Sequence, residues 1–346
     1  MNNETVQVLT EKACVPIQYR TRREILDESP DINKYLDEIL ADERVKYVFT
    51  WQNSDNSLGQ CFHGGLIPEE KRKYSGTGAE GALRFLSEMG IPETYPVVEK
   101  GLNALLRDNW NPDRWKWSTI YQPELGLFGA DNVRAVVFAY YGIEKHEFMQ
   151  TEIKRTFGYV NNITKISSVV DITGTYQKKP YFNQGIPLPD IYNLKLLAYT
   201  KSWRSNKNID AVARAIEHFI ELSPLPQIYI KVGNQLIAPA TIFPHDMRKN
   251  LHDFQPRDWF FWFHNMELFA RLGMVKRVPV LLQRANELHE TLVAGKGFFP
   301  VKPYSRPFEQ WSVYIGLALE DSWRNDRWKY DLTFRSLLIL KYAGLL

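Results

Sequence analysis

Five acidic residues stand at the starts of five apolar stretches: Glu80, Asp131, Asp190, Asp258 and Asp331. Four are followed about one helical turn later by a base, namely Arg84, Arg134, Lys195 and Arg335. If the stretches are helices whose N-termini share one mouth, the carboxylates form a ring that binds a cation or supplies a general acid. The competing reading needs no substrate. An acid in a first turn complements the helix dipole and caps free N–H groups. A base three or four residues on then makes an intrahelical pair worth about 0.2–0.5 kcal/mol. Asp131, Asp190 and Asp331 are the catalytic candidates of this pattern.

The fourth stretch, "DWFFWFHNMELF", lacks the base and carries His264, Asn265 and Glu267 instead. Glu267 follows His264 by three residues, a spacing at which a carboxylate orients an imidazole on a helix. His264 and Glu267 complete the catalytic candidates, against the alternative of a satisfied core histidine. Trp259, Phe263, Tyr140, Tyr192 and Phe334 would supply an aromatic, substrate-binding wall whose ring faces stabilise cations. Rings at helical spacing also serve as ordinary core.

Three other sites carry chemistry-bearing residues. "GQCFHGG" places Cys61 two residues from His63, a weak metal pair with only Cys14 as a second thiol. "SVYIGLALEDSWRNDRWKYD" gathers Glu320, Asp321 and Asp331 with arginines, either a solvated charged loop or half of a carboxylate pair suited to glycoside chemistry. "SGTGAEG" is glycine-rich and opens a helix, so its N–H groups suit an anion, but no strand precedes it and no lysine follows. Walker, G-x-S-x-G, H-E-x-x-H and G-x-G-x-x-G motifs do not occur.

Positioning these residues requires helices. From Gly78 the apolar residues Ala79, Ala82, Leu83, Leu86 and Met89 keep helical spacing; Gly90 stops them and Pro92 blocks continuation. Pro96 then opens a second helix. The same hairpin returns with stops at Gly142, Trp203, Gly273 and Gly344, spaced 52 to 71 residues apart. Connections over 110–128, 159–188 and 223–257 are rich in proline and glycine, and "QIYIKV" is a candidate strand in the last.

Composition bounds the function. The 346 residues carry a net charge of +3, too mild for nucleic acid, and the basic triplet at 71–73 sits beside Glu69 and Glu70 as a solvated loop. The two cysteines build no disulfide framework, the polar N-terminus is no secretory signal, and no apolar run approaches a bilayer span. A cytoplasmic location is the expectation. Aromatic residues make up 14% of the chain, enough for a core of several helical layers or a lined cavity.

The hairpin text, with Thr77 to Gly90 following T-x-x-x-x-x-L-x-x-L-x-x-x-G and Val98 to Leu105 following V-x-x-x-x-x-x-L, resembles the prenyltransferase and squalene-cyclase repeat. "WQNSDNSLGQ" is similar to that family's Q-x-x-D-G-S-W-G element at Gln52, Asp55, Ser57 and Gly59, with Asn56 and Leu58 departing. The resemblance implies an all-α fold, an α/α toroid of five to six hairpins over residues 32–346 after an N-terminal extension, 1–31. It implies a terpene-cyclase-like or prenyltransferase-like protein holding an isoprenoid or other apolar small molecule in an aromatic central cavity. The D-x-D-D, D-D-x-x-D and Asp-x-Cys motifs of its enzymes are absent. No cofactor is therefore expected, with zinc at Cys61 and His63 the weak exception. A binding or scaffold protein using the ring's mouth, and a carbohydrate-active enzyme, are the alternatives.

Overall fold

A computed structural model describes residues 3–64, 66, 78–107, 129–183, 188–222, 228–237 and 246–346. The triplet at 71–73, the glycine-rich 75–77 and the whole connection 110–128 lie outside them. Helices dominate the described residues. In chain order they are α1 (Asn3–Glu11), α2 (Val15–Arg20), α3 (Asn33–Ala41), α4 (Glu43–Phe49), α5 (Ala79–Glu88), α6 (Pro96–Leu105), α7 (Ala130–Tyr140) and α8 (Glu147–Ile163). After them come α9 (Ile191–Tyr199), α10 (Asn206–Glu221), α11 (Trp259–Leu272), α12 (Pro279–Ala294), α13 (Arg306–Glu309) and α14 (Trp328–Tyr342). Two small antiparallel hairpins lie in the connections: β1 (Thr173–Tyr176) with β2 (Lys179–Phe182), and β3 (Ile230–Val232) with β4 (Gln235–Ile237). The strand expected in "QIYIKV" is β3.

The glycine stops have a common mechanism. Gly90, Gly142, Gly273 and Gly344 all take positive φ, between 66° and 90°. After each, an apolar residue donates its N–H five residues back: Ile91 to Leu86, Ile143 to Phe138, Met274 to Phe269 and Leu345 to Leu340, at 2.9–3.1 Å. That is a glycine-terminated helix end with its carbonyls satisfied. At the fifth stop no glycine is available. There the Trp203 indole N–H donates to the Leu197 carbonyl at 2.9 Å, and Thr200 and Arg204 hold other carbonyls of the α9 end.

Within the hairpins the two helices differ. The first ones are buried along nearly their whole length: α5, α9, α11 and α14 on every face, and α7 on all but the face that carries Asp131. Their partners α6, α8, α10 and α12 each keep an exposed face. A helix buried all round must satisfy any polar residue it carries internally. The first-turn acids and their neighbouring bases stand on these helices.

The chain divides into two compact units. The first comprises 1–111, 251–267 and 285–346. Its core includes Leu9 and Ile17, so the N-terminal helices are part of it, together with Leu83, Leu86, Phe334 and Leu338, all fully buried. A cluster of rings in it joins Trp259, Trp262, Phe263, Phe299 and Phe308 through edge-to-face contacts at 5.0–6.2 Å. The second unit comprises 112–250 and 268–284. There α7 packs on α9 and α8 on α10, and Arg204 donates to the Arg271 carbonyl at the end of α11.

Candidate functional site

Helix α5 begins with N–H groups that have no partner inside the helix. The loop 61–64 satisfies three of them: Ala79, Glu80 and Gly81 donate to the carbonyls of Cys61, Phe62 and Gly64 at 2.9–3.2 Å. Gly78 makes this approach feasible, because a Cβ there would stand 2.2 Å from the backbone of Gly64. The loop is thereby fixed on the helix. His63 then points Nδ1 at Glu80 Oε2, 2.7 Å away. Its Nε2 meets the hydroxyl of Tyr314 at 3.2 Å, with the two rings edge to face.

The same helix holds Tyr314 in place. Arg84, one turn after Glu80, is buried and donates to the carbonyls of Ser312, Ile315 and Gly316 at 3.2, 3.2 and 2.6 Å. Its guanidinium lies over the Trp311 ring, whose edge packs on Phe85. So Glu80 and Arg84 do not pair with each other in the way their spacing suggests. Glu80 orients the imidazole, and Arg84 clamps the turn that carries the phenol.

Glu80 is 1% exposed, whereas His63 and Tyr314 are half-buried. A buried carboxylate, an imidazole and a phenol, the last two half-buried, form a hydrogen-bonded chain. An ionised Glu80 accepts the Nδ1 proton, which leaves the Nε2 lone pair to accept from the Tyr314 O–H. This is the orientation logic by which a base activates a hydroxyl nucleophile or proton donor. Cys61 donates its thiol to the His63 carbonyl at 3.6 Å. Among the described residues no group of three or more His, Cys, Asp and Glu is placed to hold a metal ion.

The other expected site residues are distributed as follows. In the first unit Glu267 accepts from Arg335 Nη1 at 3.0 Å. Arg335 Nη2 reaches Glu88 at 2.9 Å, and its Nε and Nη2 share the Leu317 carbonyl. Arg20 approaches Glu88 from α2 at 2.5 Å, and Phe334 lies beneath both guanidinium groups. His264 is 6% exposed, its ring 5.9 Å from that of Phe260. Trp259 and Phe263 belong to the ring cluster of the core.

Asp331 accepts the Leu319 N–H at 2.6 Å and the Trp323 indole N–H at 2.7 Å. Burial, reinforced by Glu320, pushes its carboxyl up to about 7. Glu320 in turn accepts from the Cys14 N–H and from Arg327, and burial raises it as well. Glu320, the candidate half of a glycoside-type carboxylate pair, thus has its oxygens on protein donors, as does Asp331.

In the second unit Asp131 pairs with Arg134 at 2.9 Å on an exposed face. Asp190 caps α9 by accepting the N–H groups of Tyr192 and Asn193, while Asn193 returns a bond to its backbone. Burial pushes the Asp190 carboxyl up to about 6. The Tyr192 ring lies under the Lys195 ammonium, and Tyr140 meets Tyr199 edge to face.

Sequence reasoning therefore singled out His63 as a weak metal candidate and Glu80 as a helix-start acid, and missed their pairing. Tyr314 it missed entirely. The available signal was the short span of 17 residues between His63 and a helix-opening glutamate in "GTGAEG"; nothing local marks Tyr314, 251 positions away. No family model, no curated protein and no solved structure matches the chain.

Proposed function

We propose that the chain is an enzyme that transfers a proton at a small-molecule substrate through Tyr314, with His63 as the proton's partner and Glu80 as the positioning carboxylate. The observation that carries this reading is the hydrogen-bonded chain from buried Glu80 through His63 to the hydroxyl of half-buried Tyr314. Three features support it. Each ring nitrogen of His63 has a partner, the loop bearing it is docked on a helix start, and a buried arginine fixes the turn that carries Tyr314. Such preorganisation is what general acid–base catalysis requires. The same proposal includes the α/α toroid: hairpins whose first helix is buried on nearly every face and whose second is amphipathic suit an inner and an outer ring. It also includes an isoprenoid or other apolar molecule as substrate, on the strength of the repeat's resemblance to prenyltransferases and squalene cyclases.

The reading is testable before a substrate is known. An aryl sulfonyl fluoride reacts with a phenol as the oxygen attacks sulfur, fluoride leaves and the base takes the proton. Tyr314 should be modified roughly tenfold or more faster than the exposed Tyr304, as peptide mass spectrometry would show. His63→Gln should abolish that lead and Glu80→Gln should reduce it. Equal rates at Tyr304 and Tyr314, or a Tyr314 rate indifferent to His63→Gln, would refute the proposal.

A further inference from the structure

A second site lies in the first unit, where α1, the last turns of α12 and the end of α14 enclose a cavity of about 310 Å³. Its walls are leucines, chiefly Leu292, Leu337, Leu340 and Leu345. The polar side chains lining it are Thr5, His289 and Lys296, and the last two are exposed at the rim. Thr5 is different: it is 1% exposed and its hydroxyl has no hydrogen-bond partner. Thr5 sits in the first turn of α1.

A buried hydroxyl left without a partner carries a desolvation cost that native structures seldom bear without reason. A single water would not remove it cheaply, because a held water needs two to four polar partners and Thr5 is the one buried polar side chain among the lining residues. A ligand that brings its own oxygen on an aliphatic chain satisfies both features at once. At about 30 Å³ per water-sized group the space accommodates roughly ten such groups, at the lower end of small-molecule pockets.

We infer that this cavity binds a neutral aliphatic alcohol of about ten carbons, its hydroxyl paired with Thr5 and its chain lying on the leucines. A carboxylate is the poorer occupant. To reach Thr5 it would have to shed its water without a buried cation to meet it, and a contact with exposed Lys296 at the rim is screened by solvent. The site involves neither His63 nor Tyr314, so it stands or falls apart from the proton-transfer reading.

The probe is 1-decanol, titrated into the full chain with ¹³C-labelled leucine methyl groups and, in parallel, by calorimetry. Binding should shift the methyl resonances of Leu292, Leu337 and Leu340 in the unaltered protein. Thr5→Val should weaken binding about fivefold, and Thr5→Ser should restore it, since one hydrogen bond is at stake. Three results would overturn the inference: no methyl shift at saturating decanol, equal affinity in Thr5→Val, or tighter binding of decanoate that depends on Lys296. Sedimentation supplies the remaining arm. Self-association abolished by Val293→Glu and unaffected by decanol would assign the groove to a second copy of the chain.

Discussion

Replacing Arg335 by methionine should lower the unfolding free energy by about 3–5 kcal/mol. Arg335 is 1% exposed, and its guanidinium holds Glu267, Glu88 and the Leu317 carbonyl simultaneously. The charges around it close in pairs, since Arg20 also engages Glu88 and Glu24. Removing Arg335 alone takes away a buried cation that Glu267 and Glu88 both engage, a penalty far above the value of the intact pairs. Lysine in its place would reach one carboxylate as a point charge and recover only part of the loss. Arg277→Met is the control, because its pair with Asp210 is solvated on both sides and worth about 1 kcal/mol or less. Urea titrations of the three variants decide the matter. A loss from Arg335→Met no larger than that from Arg277→Met would show that the cluster does not hold the unit together.

Stability should fall as pH rises from about 4 to 7, against the trend that ion-paired carboxylates usually give. Asp331 keeps its proton in the folded chain up to about 7, chiefly because of burial and then Glu320, from an ordinary value of 3.8. Between those values the folded state binds more protons than the unfolded one, so its advantage is complete below the lower value and lost as pH passes the upper. At about 1.4 kcal/mol per pH unit, Asp331 accounts for at most about 4 kcal/mol. Asp190, raised to about 6 by burial, adds in the same direction, as do the raised carboxyls of Glu152 and Glu320. His146, lowered by burial, opposes them on the acid side of its ordinary 6.5. Unfolding free energies across that range, for the native chain and Asp331→Asn, isolate the main contribution. The substitution should flatten the slope; a slope unchanged by it would contradict the assignment.

The sequence pattern of acid and base on successive helix starts was real, yet its meaning differed from helix to helix. Asp131 and Arg134 form the intrahelical pair that the spacing suggests, because that face is exposed. Glu80 and Arg84 share the spacing, but their helix is buried all round, and each finds a partner on another segment. Asp331 and Arg335 do likewise, with Trp323 and Glu267. Asp190 is the cap that its position announced. Spacing is local and legible, whereas depth is set by everything packed around a helix and is not. The glycine stops were legible for the converse reason: a left-handed residue followed by an apolar one is settled within six residues of chain. Tyr314 was invisible because its role exists only through a turn that Arg84 grips from 228 residues upstream.

The polarity of His63 tests the central claim most directly. Long-range ¹H–¹⁵N correlation of the imidazole, in the full chain at neutral pH, reports which ring nitrogen carries the proton. The relay requires the proton on Nδ1, facing Glu80, with Nε2 unprotonated and accepting from Tyr314. Tyr314→Phe should then move the Nε2 resonance alone, and Glu80→Gln should scramble the tautomers. A proton fixed on Nε2, or a ring indifferent to both substitutions, would mean that no such relay exists.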